Sequence, residues 1–167
     1  MPDTNTAMVW IAPRGIDDTA SPANQKRQTQ IRRRFALLGQ TLEGMRVWDV
    51  RRALQAVRGF GELRGLPLTL RAKGSMSAIA LYASLFEPNI ARLELRDLPS
   101  SHREGEVNLL NVLSVLDMPT AIALAAERCP VEIGGDASAE MFDYSRAVSA
   151  ALHWPKERLT ILPAPAK

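Results

Sequence analysis

Hydrophobic and polar positions along this chain repeat with periods that switch between two and about 3.6, the spacings of strand and helix. Ala7 to Ala12 (Ala-Met-Val-Trp-Ile-Ala) is a short apolar run ended by Pro13-Arg14-Gly15, which predicts a buried strand and then a loop. A helix is expected from Pro22 or Ala23 through Ile31, Phe35 and Leu38, with Gly39 just past its end. A second follows Thr41 and runs to Val57, placing Met45, Trp48, Val50, Leu54 and Val57 roughly on one side and Arg46, Arg51 and Arg52 largely on the other. Leu68-Thr69-Leu70 is strand-like, Lys73-Gly74-Ser75 is a tight turn, and Ala78 to Phe86 is a helix-forming run almost without polar side chains. Glu87-Pro88 stops that helix, and Ile90 to Leu95 alternates as a strand does. Asp97 to Gly105 has the character of a surface loop. Asn108 to Leu116 and Pro119 to Ala126 read as helical, and Cys129 to Ile133 as a strand closed by Gly134-Gly135-Asp136. Phe142 to Leu152 then reads as a helix and Arg158 to Leu162 as a last strand. Strands alternate with helices throughout, so the expected class is α/β, a mainly parallel sheet of about five strands with helices on both faces.

With 167 residues, 46% of them hydrophobic, the chain is long enough for one domain spanning 1–167 and too short for two comfortable ones. The formal net charge of +3 does not by itself implicate nucleic acid. A single cysteine, Cys129, excludes an intrachain disulfide framework and a cysteine zinc site. With His102 and His153 as the two histidines, no familiar metal-ligand spacing exists, and neither a metal nor a cofactor is expected. The amino terminus has no basic and apolar leader, and no run of about 18 apolar residues occurs, so the chain as given shows neither an export signal nor a membrane span.

The stretch Leu66 to Phe86 concentrates the candidate chemistry. A strand, a sharp turn and a buried helix in succession place the turn at the carboxyl end of a parallel strand, where α/β proteins bind ligands and display nucleophiles. The helix amino terminus there could hold an anion on its free amides, with Lys73, Gly74 and Ser75 around it. His102 reads as a solvated loop residue and His153 as a helix-end residue. The Arg32-Arg33-Arg34 and Arg51-Arg52 clusters read as solvated or salt-bridged helix faces, because Glu43, Asp49 and Glu62 lie close in sequence and aromatics are 5% of the chain. Nucleic acid is not an expected partner.

Several phrases, taken together, resemble a known family. Arg33 to Leu54, then the strand, turn and small-residue helix at Leu68 to Ala83, then Pro88 to Leu95 and Cys129-Pro130-Val131, resemble the acetyl xylan esterase-like branch of the α/β-hydrolase superfamily, in its carboxyl half. The resemblance implies a serine carboxylesterase fold with a nucleophile in a G-x-S-x-G elbow, an acid and a histidine following in that order. Aligning the helices puts Gly74 at the nucleophile position. A shift of one residue would offer Ser75 instead, with Lys73 and Ser77 as its flanking residues. Asp136 falls at the family's acid position, and no histidine follows the last strand. The half of the family's fold that supplies an oxyanion-hole amide has no counterpart before Ala7.

The expectation is therefore an α/β-hydrolase-like domain lacking competent catalysis, incomplete on its amino-terminal side. The alternatives are a non-enzymatic module that pairs through the open sheet, or a weak esterase using Ser75 with Asp136. A sheet cut in this way exposes an edge and an apolar face, so a homo-oligomer or a separate amino-terminal half is an expected partner, and an ester or carbohydrate an expected ligand. A secreted or periplasmic setting would follow from the family if the chain is a fragment.

Overall fold

The computed structural model describes residues 6–20, 24–135 and 139–163. Helix α1 (Gln25–Leu37) is followed by α2 (Leu42–Gly59), β1 (Leu68–Lys73), α3 (Ser75–Phe86), β2 (Ile90–Arg96), α4 (Met118–Arg128), β3 (Val131–Gly134), α5 (Asp143–Ala151) and β4 (Leu159–Ile161). Asn24 caps α1 by accepting from the Lys26 and Arg27 amides, and Gly39, at φ +70°, follows its end as expected from the sequence. Thr41 accepts from the Gly44 amide at the start of α2.

All strands are parallel, in the order β1-β2-β3-β4. The register lines up Leu70, Leu93, Val131 and Leu159 in one row and Ala72, Leu95, Ile133 and Ile161 in another. Both rows point to one face, where α3 covers their β1 and β2 members and α4 those of β3, while Leu159 and Ile161 line a cavity with Ala150 and Trp154 at the end of α5. Helices α2, α3, α4 and α5 stand side by side as a single layer, each packed on the next. Their small residues allow close approach: Ala78, Ala80, Ala83, Ala121, Ala125 and Ala126 are all buried. Glu87, 4% exposed, locks α2 to the end of α3 by accepting from Arg51 Nε (2.9 Å) and Gln55 Nε2 (2.8 Å).

The opposite face of the sheet carries the alternate row Arg71, Glu94, Glu132 and Thr160, flanked by Arg92 and Arg96. Here Arg71 pairs with Glu94 at 2.7 Å, and Glu132 is held between Arg92 and Arg96 at 2.5 Å each. Arg96, hydrogen-bonded to it, and then Arg92 hold the Glu132 carboxyl below its ordinary range. A face of this kind has no apolar surface to bury. The α/β class and the parallel sheet stand as the sequence implies, but the helices that touch the strands gather on one side, and the open side is ionic where an apolar face was expected.

Among the described residues the strand count is four, because Ala7 to Ala12 pairs with no strand there. The chain just after it is tied to α2 on the helical side. Arg14 donates from its amide and Nε to Asp49 Oδ2 (3.1 and 2.7 Å), and Arg46 Nε donates to Arg14 O (3.0 Å). Trp10 is left 87% exposed. Two further expectations shift. Asn108 to Leu116 forms no α-helix, since Asn111 takes φ +56° and a single 3-10 turn at Val112–Ser114 follows. On α2 the buried face is Glu43, Val47, Val50 and Leu54, while Trp48 stays half exposed with the Arg52 guanidinium 4.1 Å from its ring centroid.

Two measurements test this architecture. Leu93→Ala, at a fully buried position in the middle of the sheet, should lower the unfolding free energy by about 2 to 5 kcal/mol in urea titration. Glu132 has a folded-state pKa below its unfolded value of about 4.3, so its stabilisation is present above that pH and lost as pH falls through the folded value. Glu132→Gln should therefore melt below the parent at neutral pH, with the gap closing on acidification below about pH 4.

Candidate functional site

The strands β1, β2 and β3 end at one edge of the sheet, and the backbone binds their corners together. The Gly74 amide donates to Arg96 O (2.9 Å) and the Asp97 amide to Gly134 O (2.8 Å). Ser77, fully buried in the first turn of α3, adds a hydroxyl bond to Arg96 O (2.7 Å). Lys73-Gly74-Ser75, Arg96-Asp97 and Gly134-Gly135 thus stand side by side. A Cβ at Gly135, whose φ is +117°, would lie 2.7 Å from the Asp97 amide nitrogen, so glycine is what lets the third corner close on the second.

At the first corner the backbone strain falls on Gly74. Its φ of +61° and ψ of −138° lie in a region nearly closed to residues with a Cβ. A Cβ built there would meet nothing within 4 Å, so the position faces open space. Ser75 is the first residue of α3, exposed, and its hydroxyl has no partner among the described residues. Lys73, 79% exposed, directs its Nζ to Asp97 Oδ2 at 3.5 Å, so its charge is countered across the corner and is not aimed at the start of α3. Asp97 itself, at φ +50°, stands where the sequence implies the start of a surface loop. The signal that could have found it is its place as the first polar residue after an alternating strand, level with the turn. Asp136 lies outside the described residues.

The histidines are elsewhere. His102 is 7% exposed, which corrects its reading as a solvated loop residue. Its Nδ1 lies 2.8 Å from Val107 O, which can only accept, so Nδ1 carries the proton and Nε2 accepts from the Tyr82 hydroxyl at 2.7 Å. The loop is folded inward by Asp117, which takes the Ser101 hydroxyl (2.5 Å) and the His102 amide (2.9 Å) while capping α4. Burial pushes the Asp117 carboxyl up, but the Ser101 hydroxyl and the His102 and Met118 amides outweigh it and hold it below its usual range. Burial also pushes the Tyr82 phenol well up. Tyr82 is seven residues beyond Ser75 on α3, about 10.5 Å along the helix axis, so His102 is anchored far down the helix from the turn. His153 follows α5 at φ +52° in a helix-ending turn, with its amide donating to Ala150 O and the Trp154 amide to Ser149 O. This is the helix-end place the sequence implies. Because α5 leads back to the start of β4, that end lies toward the opposite edge of the sheet.

A general base must come within about 2.6–3.2 Å of the proton it takes. No histidine is hydrogen-bonded to Ser75, and both ring nitrogens of His102 are committed. Among the described residues no three His, Cys, Asp or Glu side chains gather in a way that could hold a metal ion, and no helix is long and apolar enough to cross a membrane.

No protein-family model matches this chain, and no curated protein matches it in sequence. The chain is similar to a solved structure, that of a "putative acetyl xylan esterase" from Bacteroides fragilis NCTC 9343. It superposes with a TM-score of 0.71 over 90% of this chain at 14% identity. The likeness establishes an esterase-like α/β fold. The chain spans 45% of that protein's length.

Substitution separates the two glycine corners. Gly74→Ala should cost about 1 to 3 kcal/mol of stability from backbone strain alone, since the added methyl meets no neighbour. Gly135→Ala should cost more in the same urea titration, because strain is joined by collision with Asp97.

Proposed function

We propose that this chain is an α/β-hydrolase-like domain of the carboxylic-ester hydrolase lineage, resembling the carboxyl half of an acetyl xylan esterase, without competent serine catalysis of its own. The observation that carries this reading is the turn between β1 and α3. The strained position there is Gly74, which has no hydroxyl, and the neighbouring Ser75 hydroxyl has no histidine bonded to it. Asp136 would then be an acid of the family's pattern with no base to orient. An ester or carbohydrate reaching the corner of Lys73, Gly74 and Ser75 would be bound without being cleaved.

A second role, pairing with another polypeptide, is favoured by the outer edge of β1, which carries no strand among the described residues. A chain matching 45% of its structural neighbour's length would find that strand in an amino-terminal counterpart. A second copy of itself is the weaker candidate, because Arg71 and Lys73 of two β1 strands would face one another.

Intact-mass analysis after treatment with a fluorophosphonate serine probe tests the catalytic reading. The folded chain should remain unlabelled, as should Ser75→Ala. An adduct on the parent that disappears in Ser75→Ala would show an activated Ser75 and overturn the proposal.

A further inference from the structure

Helix α1 holds five cations, Lys26, Arg27, Arg32, Arg33 and Arg34, and no acid, in a chain whose net charge is +3. None of its residues is buried. Gln28, Ile31 and Phe35, which are half-buried, form a thin stripe along it. At about 100° per residue, Lys26, Arg27, Arg33 and Arg34 fall within a sector of about 120° centred on Gln30, and that sector faces away from the stripe. Asn24, Lys26, Arg27, Gln30, Ile31 and Arg34 line a shallow groove of about 510 Å³ along it.

The acids that lie near in sequence leave these charges uncompensated. Glu43 is reached by Arg32 at 3.9 Å, and Asp49 is taken by Arg14 at 2.5 Å. Lys26, Arg27, Arg33 and Arg34 have no ion pair among the described residues. Of the solvated or salt-bridged face expected for Arg32-Arg33-Arg34, Arg32 is ion-paired, and Arg33 and Arg34 are solvated. An exposed helix with one sign of charge, four of whose five cations have no acid partner among the described residues, gains most from a regularly spaced polyanion.

We propose that the outward face of α1 docks on the phosphate backbone of a nucleic acid, independently of base sequence. The cations form two pairs, 26/27 and 33/34, two turns and about 10.5 Å apart. That is close to the width of a DNA major groove, about 12 Å, and long arginine side chains span the remainder to phosphates on both sides. A bilayer interface is the less fitting polyanion. It takes up a broad apolar helix face, whereas the apolar stripe of α1 is thin, with Ile31 and Phe35 half-buried and Leu37 and Leu38 exposed at its carboxyl end.

Fluorescence anisotropy of a short labelled DNA duplex, titrated with the whole chain between about 50 and about 200 mM salt, tests this. Binding by four phosphate contacts predicts a slope of about −3.6 for log affinity against log salt. The quadruple variant Lys26→Glu, Arg27→Glu, Arg33→Glu, Arg34→Glu should lose at least about tenfold in affinity at the lowest salt, with a slope near zero. A control with the same net charge reverses four exposed cations elsewhere, Arg64→Glu, Arg103→Glu, Arg128→Glu and Lys156→Glu, and should retain most of the parent's binding. Circular dichroism checks that both variants fold. Equal loss in both variants, or no loss in the α1 variant, overturns the proposal. So does binding to phosphatidylserine-containing vesicles without binding to DNA at the same salt, which would transfer the face to a membrane surface.

Discussion

Alternation along four in-register parallel strands is the constraint on which the rest of this molecule depends. Because successive side chains point to opposite faces, the register that aligns Leu70, Leu93, Val131 and Leu159 also aligns Arg71, Glu94, Glu132 and Thr160. One face must be covered by helices, and the other must be satisfied by charge. All-parallel sheets usually bury both faces. Here the second face pairs its charges across the strands, arginines of β1 and β2 closing on glutamates of β2 and β3. A slip of one residue would drive those ions under α3 and α4, so the register is held from both sides.

Much of this architecture was legible in the sequence because it is written in local chemistry. Glycine at 39, threonine at 41, the Glu87-Pro88 stop and the alternation from Ile90 to Leu95 each act within a few residues of where they stand. What was not legible depends on partners far along the chain. Ala7 to Ala12 has the composition of a buried strand, yet Arg14 and Arg46 bind the following loop to α2 and no neighbouring strand is offered among the described residues. The placement of helices on one face was equally hidden. It follows from strands stacking in chain order, which periodicity along one segment does not report.

The candidate site divides in the same way. The strand, turn and helix around Gly74 could be read from spacing alone, and so could the helix-end place of His153. The burial of His102 could not, since Tyr82, Val107 and Asp117 reach it from three separate stretches. The pairing of Lys73 with Asp97 was likewise invisible until β1 and β2 were set side by side. Such long-range polar contacts decide which titratable groups are available for chemistry, and they are the part of a site that one sequence conceals best.

The conformation of Gly74 bears on how such a turn changes over generations. A residue with a side chain at φ +61°, ψ −138° stores strain that the surrounding fold must hold, whereas glycine follows the same path at rest. Exchanging a side chain for glycine at this corner therefore stabilises the protein while removing whatever chemistry the side chain performed. Once selection for that chemistry relaxes, stability alone favours the glycine, and the return step is uphill. A backbone shape of this kind can outlast the activity for which it is suited.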